Sequence, residues 1–248
     1  MLITITIQGD SMLFKDEDFR KLYKSYIIIK NEKFAKQIAQ TLKIDTIMDE
    51  ELSDEEFKEK LFSIEVDEKI NAIFAKPYID HTAGISVLIL STAHIDADNV
   101  EIFKRESFDS IGNARKSSVA DSEFEYLENL NVNEDFDPDY YSEFAQITDS
   151  YSVNEKVEML RYVDILDDCR HEAFPDDYEV IFVKEDCQME KMWVRCEDLT
   201  EDQLILGNLM NSPYQELGVD AGDEVLFFPY QPEGSDEWIL ICDLNNSE

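Results

Sequence analysis

The chain contains few of the residues from which linear catalytic and phosphate-binding motifs are built. It has seven glycines and three histidines among 248 residues. No phosphate loop of the form G-x-G-x-x-G or G-x-x-x-x-G-K-[ST] occurs, and G-x-S-x-G is also missing. The histidines form neither H-x-x-x-H nor H-E-x-x-H. These absences exclude the enzyme classes that are recognised by such motifs. An enzyme that uses carboxylates leaves no linear motif, so the absences do not exclude that class.

Cysteines and long apolar runs are also scarce. The four cysteines are separated by 18, 9 and 46 residues without a C-x-x-C pair, so we expect reduced thiols and no metal or other cofactor. No apolar run approaches the ~20 residues of a membrane helix. The opening MLITITIQGD lacks a basic start and a cleavage site, and its alternation predicts a strand over residues 2–7. The expected location is the cytoplasm.

Basic residues are scarce in the second half of the chain. Residues 117–248 contain 35 acidic and 6 basic side chains, a net charge of −29, whereas residues 1–116 contain 22 and 16, a net charge of −6. Hydrophobic residues make up 44%, which indicates a folded body. Such a negative field repels nucleic acid and anionic membranes and speeds encounter with basic proteins. We therefore expect a basic protein partner, no direct nucleic-acid binding and no membrane contact. The oligomeric state stays open.

The hydrophobic patterns predict an α+β protein that begins with an α/β-type domain over residues 1–135. A helix is predicted over 31–44 with Asn31 as its cap, and Ser53 with Glu56 forms a capping box before a second helix. The β-branched run over 84–95 predicts a central strand. A further helix is expected near 122–130.

Residues 136–177 are predicted to be an acidic loop and a connecting helix, the helix covering 154–170. A C-terminal β-rich domain follows over 178–248. Five short β-runs separated by turn residues predict a small, strongly bent antiparallel sheet or a partly open barrel. The runs are YEVIFVKE, KMWVRCEDL, QLILGNLM, DEVLFFPY and EWILICDL.

The acidic loops supply candidate contacts for the basic partner. The spacing of Asp135, Asp137 and Asp139 resembles the start of a calcium loop, but Tyr140 and Gln146 stand where that loop needs glycine and glutamate, so a solvated acidic loop is favoured. The candidate contacts are Asp135, Asp137, Asp139, Asp167, Asp168, Asp176, Asp177, Asp198, Glu201 and Asp202.

Two alternatives to a binding protein stay open. The first is a hydrolase that uses carboxylates or a thiol–imidazole pair, for which Cys169 and His171 are the candidates because they are close in sequence. The second is a structural or scaffold protein whose acidic residues only maintain solubility.

One group of residues carries a resemblance to known domains. The order E-x-M-W-V, G-x-L-x-N-x-P and G-D-x-V-x-F, followed by a late tryptophan, resembles small bacterial domains of unknown function related to immunity proteins of polymorphic toxin systems. The resemblance covers about 178–245 and implies a bacterial protein that neutralises a toxin. From the residues alone, Gly207 predicts a bulge or close backbone approach, and Gly222 with Asp223 predicts a turn. The motif residues are Glu190, Met192, Trp193, Val194, Gly207, Leu209, Asn211, Pro213, Gly222, Asp223, Val225, Phe227 and Trp238.

Overall fold

The computed structural model describes residues 12–48, 50, 52–105 and 112–245. The predicted strand over 2–7 lies outside these residues. The α-helices are α1 (Phe19–Leu22), α2 (Glu32–Met48), α3 (Asp54–Phe62), α4 (Lys116–Val119), α5 (Pro138–Ala145) and α6 (Glu155–Leu160). Short 3-10 helices cover Phe14–Asp16, Leu127–Asn129, Gln146–Tyr151 and Asp164–Cys169. Within the described ranges, every helix is too short or too polar to cross a bilayer.

The strands are β1 (Ile27–Lys30), β2 (Ala72–Asp80), β3 (Gly84–Asp96), β4 (Asn99–Ile102), β5 (Gly112–Arg115), β6 (Glu123–Tyr126), β7 (Asn131–Val132), β8 (Asp177–Val183), β9 (Glu190–Leu199), β10 (Ile205–Leu209), β11 (Glu224–Tyr230) and β12 (Ile239–Asp243). Together with the helices they confirm the α+β class.

The chain forms two compact units. Unit 1 comprises Met1–Tyr78 and Ser86–Ser150, and unit 2 comprises Ile79–Ile85 and Tyr151–Glu248. The predicted connecting segment 136–177 is thus divided between them, with α5 in unit 1 and α6 in unit 2. The short connection between β2 and β3 also belongs to unit 2, which no local sequence signal indicates.

Unit 1 is built on a curled seven-stranded sheet with strand order β6-β1-β2-β3-β4-β7, in which β5 pairs with β3. The run Ile27–Ile29 in β1 is buried at every position, so both faces of the sheet are covered at this central strand. The predicted caps form as expected: the Asn31 side chain accepts the Phe34 amide at 3.0 Å, and Ser53 with Glu56 makes a capping box. The polar caps thus start α2 and α3 where the sequence indicates.

Unit 2 contains a closed five-stranded barrel in the order β10-β11-β12-β8-β9. Four pairings are antiparallel, whereas β8 and β12 pair in parallel, with Ile181 opposite Ile241. The sequence indicated a bent antiparallel sheet or a partly open barrel. The parallel β8–β12 pair closes the barrel. Because this pair joins the first and last strands of the barrel, no local sequence pattern predicts the closure.

Alternation along the barrel strands fills the interior with apolar side chains. Each strand contributes two or three inward residues, and the aromatic rings of Tyr178 and Phe227 lie 6.2 Å apart between centroids. The inward set is Tyr178, Val180, Phe182, Met192, Val194, Cys196, Ile205, Leu209, Val225, Phe227, Leu240 and Cys242.

Two helix predictions were wrong. The segment expected to be helical near 122–130 forms β6 and a 3-10 turn, because Glu123–Tyr126 pairs with β1 and buries Phe124. The helix predicted over 154–170 stops at Leu160 and resumes as a 3-10 helix at Asp164. Val157, Leu160 and Leu166 of this segment are all buried. In both places tertiary contacts override a weak local helical pattern.

We expect Gly207→Ala to destabilise unit 2. A Cβ at Gly207 would lie 2.4 Å from the Arg195 carbonyl oxygen and 2.6 Å from Val194 Cγ1, at the point where the β9–β10 register shifts. The expected loss is about 1–3 kcal/mol of unfolding free energy, measured by urea denaturation. Gly112→Ala is the control, because its Cβ would meet no atom closer than 3.5 Å. Equal stabilities of the two variants would refute the close approach.

Candidate functional site

The outer wall of the barrel carries an apolar stripe that crosses four strands. Leu206 on β10 pairs with Leu226 on β11, Phe228 on β11 pairs with Ile241 on β12, and Ile241 pairs with Ile181 on β8. These five residues, here called the outer stripe, face away from the core because their neighbours in each strand point inward. Leu226 is 44% exposed, and the other four are half-buried.

Acidic residues extend the same outward face on three of these strands. Residues two positions apart in a strand share a face, so Glu179 accompanies Ile181, Glu224 accompanies Leu226, and Asp243 accompanies Ile241. An apolar centre with a charged surround is the usual anatomy of a protein-binding surface. The outer wall of the barrel is therefore the candidate interface.

Every lysine and arginine of unit 2 makes contacts within the unit. Lys191 pairs with Glu179 at 2.6 Å, Lys156 pairs with Asp198 at 3.1 Å, and Lys184 donates to the Leu217 carbonyl at 2.8 Å. The other three, Arg161, Arg170 and Arg195, pair with Asp176, Asp167 and Asp177. Since residues 151–245 hold 24 acidic and 6 basic side chains, most of the carboxylates have no cation to pair with inside the unit.

The predicted contact residues divide into exposed and buried groups. Asp176 and Asp177 are only 3% and 7% exposed and are paired with arginines. Their contacts are therefore structural, and they are removed from the set of candidate partner contacts. Asp137 caps α5 by accepting the Asp139 and Tyr140 amides, although it stays exposed. Asp198 and Asp167 are ion-paired, and their side chains are 44% and 40% exposed. The remaining exposed candidates are Asp135, Asp139, Asp168, Glu201 and Asp202.

Two buried ion pairs at the start of β8 were missed by the sequence reasoning. Arg161 donates to both Asp176 oxygens at 2.8 and 2.6 Å, and Arg195 donates to both Asp177 oxygens at 2.6 and 2.8 Å. His81 Nε2 lies 3.5 Å from Asp176 Oδ2. Burial acts to raise the pKa of Asp176, but Arg161 and His81 outweigh it and hold the pKa below its usual range. The sequence feature that could have indicated these ion pairs is the presence of rare arginines in an acidic segment.

The motif residues fix the loop between β10 and β11. Glu190 accepts the amides of Tyr214 and Gln215 at 2.8 and 2.9 Å, and these bonds lower the pKa of Glu190. Asn211 Oδ1 accepts the Trp193 amide at 2.9 Å.

The turn before β11 has the predicted chemistry. Gly222 has φ +93°, which favours glycine, and Asp223 accepts the Asp220 amide at 2.8 Å. Pro213 lies in the same loop, between Asn211 and Tyr214. Within the motif, Glu190 and Asn211 thus attach this loop to β9, and Gly222 with Asp223 forms the turn before β11.

Trp193 lies on the outside of the barrel and is 37% exposed. Its ring meets the His171 ring edge to face, with centroids 4.9 Å apart, and it stands opposite Glu179 in the β8–β9 pair. Trp238, the other tryptophan of the motif, accepts a hydrogen bond from the Cys169 thiol through its carbonyl at 3.5 Å.

Cys169 and His171 do not contact each other through hydrogen bonds. The Cys169 thiol is buried, which raises its pKa, and it donates to a backbone carbonyl. His171 Nδ1 accepts the Ala173 amide at 3.0 Å. A protonated thiol is a poor nucleophile, so this pair gives no support to thiol catalysis. Over the described residues, no three His, Cys, Asp or Glu side chains are grouped to hold a metal ion.

We expect Arg161→Met to cost about 3–5 kcal/mol of unfolding free energy, because it leaves the Asp176 carboxylate buried without its bidentate partner. Lys191→Met is the matched control. It removes the exposed Lys191–Glu179 pair and should cost no more than about 1 kcal/mol. Chemical denaturation of both variants at neutral pH measures the difference. Similar losses for the two would contradict the buried role of Arg161.

Asp176 should also contribute to acid sensitivity. Because its pKa is lower in the folded than in the unfolded chain, its stabilisation is complete above the unfolded value of about 4 and is lost as the pH falls through the folded value. We expect Asp176→Asn to reduce the slope of unfolding free energy against pH in that acidic window. Denaturant titrations across it measure both slopes, and identical slopes would rule out this contribution.

Comparisons with known proteins give no relative for the chain. No protein-family model matches it, and neither a curated protein nor a solved structure does. The resemblance to domains related to immunity proteins therefore stays a prediction.

Proposed function

We propose that this protein binds a basic protein partner through the outer wall of its barrel. The observation that carries the proposal is that all six cations of unit 2 are engaged within the unit, while 24 acidic side chains lie between residues 151 and 245. A surface without available cations attracts positive charge and repels nucleic acid. The resemblance noted in the sequence makes a bacterial immunity protein the specific form of the proposal.

The outer stripe supplies the second part of the interaction. Charged residues at the rim of an interface mainly set the association rate and the choice of partner, whereas a buried apolar centre slows dissociation. Leu226 and Phe228 stand at that centre, and Glu179 and Glu224 share their face of the barrel. A partner with an apolar patch inside a ring of lysines and arginines fits this surface.

A nuclease toxin is a partner with the required chemistry. Nucleases that hold phosphate present basic side chains in the substrate groove. Carboxylates placed where phosphates would lie cover that groove and block the substrate. Close charge pairs at such an interface have coupling energies of about 1.5–7 kcal/mol. The proposal places the encounter in the cytoplasm, where such a toxin would meet nucleic acid.

The alternatives receive less support from the contacts. A thiol hydrolase requires an activated Cys169, and burial raises the pKa of that thiol. A scaffold whose acids only maintain solubility does not require the outer stripe, which leaves Leu226 nearly half exposed.

The test begins with identification of the partner and continues with the purified pair. The chain is used as bait in an extract of its host, and the captured protein is purified and its binding measured by surface plasmon resonance at rising salt. We expect a basic protein whose association slows as ionic strength rises, since salt screens exposed charges beyond about 10 Å at 0.1 M. An acidic partner, or an association rate that does not change with salt concentration, would refute charge complementarity.

Variants then separate charge from apolar contact. Glu179→Lys with Glu224→Lys should slow association, and Leu226→Ser should speed dissociation, each weakening affinity about tenfold or more. Glu123→Lys with Glu128→Lys is the charge-matched control, because both residues are exposed in unit 1. If the control weakens binding as much as the barrel variants do, the interface lies elsewhere. Inhibition of the partner's nuclease activity on a labelled oligonucleotide tests the immunity form separately.

A further inference from the structure

Four of the eight large hydrophobic side chains that unit 2 exposes lie on β9 and on the loops next to it. These four residues, Met189, Trp193, Met210 and Tyr214, are here called the loop rim. Tyr214 is fully exposed, and Met189 is 71% exposed. The outer stripe crosses the other four strands of the barrel, so the loop rim is a separate surface and its role goes beyond the function proposed above.

Hydrogen bonds bring the four residues of the rim to one region of the surface. The Met210 amide donates to the Trp193 carbonyl at 2.8 Å, so these two residues are neighbours. The Glu190 carboxylate accepts the Tyr214 amide at 2.8 Å, which holds Tyr214 beside the residue that follows Met189. The loop between β10 and β11 therefore runs along β9 and adds its exposed side chains to those of the strand.

The backbone of this loop is fixed at several points. The Gln215 side chain donates to the Gln188 carbonyl at 2.9 Å and accepts the Gln188 amide at 3.0 Å. Asn211 accepts the Trp193 amide at 2.9 Å, and Leu217 is buried in the barrel core. A loop that is ordered before binding loses little freedom on association, which lowers the entropic cost of binding. The rim thus presents Tyr214 on a fixed support.

The chain around the rim carries a negative charge. Residues 185–190 and 210–223 contain six carboxylates and neither lysine nor arginine. The two cations next to the first of these segments are engaged, since Lys184 donates to a backbone carbonyl of the loop at 2.8 Å and Lys191 pairs with Glu179 at 2.6 Å. Such a surface attracts a basic partner and repels a second copy of this acidic chain.

We propose that the loop rim binds a basic peptide segment in which apolar side chains are flanked by lysines and arginines. The apolar side chains of the segment pack against Met189 and Tyr214, and methionine and tyrosine are residue types that interface centres favour. The flanking cations pair with the exposed carboxylates of Glu216 and Asp220. The motif residues Glu190 and Asn211 then act as positioning residues, because they hold the loop that presents Tyr214.

The test uses two fluorescein-labelled hexapeptides of equal charge, KRLLRK and KRSSRK, with the full chain. We expect KRLLRK to bind a saturable site about tenfold more tightly than KRSSRK or better, because only its leucines bury apolar area. Fluorescence anisotropy at about 0.1 M salt, which screens distant charges, measures both dissociation constants. Equal affinities, or no saturable binding of KRLLRK, would overturn the proposal.

Substitutions then locate the binding site. Met189→Ser and Tyr214→Ser should each weaken KRLLRK about fivefold or more and leave KRSSRK little changed. Both side chains are exposed, so we expect both variants to fold. Leu226→Ser on the outer stripe is the matched control and should leave the binding of KRLLRK unchanged. If Leu226→Ser weakens KRLLRK and the rim variants do not, the peptide binds the outer stripe, which overturns this inference and supports the function proposed above.

Charge and self-association are tested separately. Glu216→Lys with Asp220→Lys should weaken both peptides about fivefold or more, and the exposed pair Glu123→Lys with Glu128→Lys in unit 1 should change them less than about twofold. Equal effects of the two pairs would overturn the charge contribution of the rim. Sedimentation velocity should show a monomer for the wild type and for Tyr214→Ser. A wild-type dimer that Tyr214→Ser dissociates would show that a second copy occupies the rim and would overturn the assignment.

Discussion

Unit 2 depends on two buried arginine–aspartate pairs at the start of β8. Asp176 and Asp177 are adjacent buried residues that point to different partners, so each needs its own arginine. Breaking either pair leaves an uncompensated charge away from water, which costs far more than losing a surface pair. Residues 151–245 contain only six basic side chains, so the two pairs use a third of the cations of unit 2.

The way in which unit 2 uses its few cations connects its fold to the charge of its surface. The remaining cations of unit 2 hold other parts of the same unit: Lys184 binds the β10–β11 loop, Lys156 binds the end of β9, and Arg170 bonds to the Tyr178 hydroxyl at 2.7 Å. Since all six cations are engaged within the unit and its acidic residues far outnumber them, most of its carboxylates have no cation to pair with there. The negative field follows from the excess of 24 acidic over 6 basic side chains between residues 151 and 245, and the outer stripe is an apolar patch on the same unit.

Unit 1 follows a different plan. The strands of its sheet bury longer continuous runs of apolar residues than the barrel strands do. The Phe74 ring packs edge to face against Phe136 and Tyr141. The basic residues of the chain are concentrated here, and one of them, Arg105, is buried beside a cavity. The two units therefore differ in charge, since unit 1 holds 16 of the 22 basic residues and unit 2 the other six.

The sequence by itself determined the elements whose signals are local. Caps at Asn31 and Ser53, the β-branched run of β3, and the five β-runs with their turns were all predictable, because each depends on residues within a few positions. It also determined the charge imbalance. Only the tertiary structure decided which acids are buried, how the parallel β8–β12 pair closes the barrel, and where β6 replaces a predicted helix. Those outcomes depend on partners far apart in the chain, and a local pattern does not contain them.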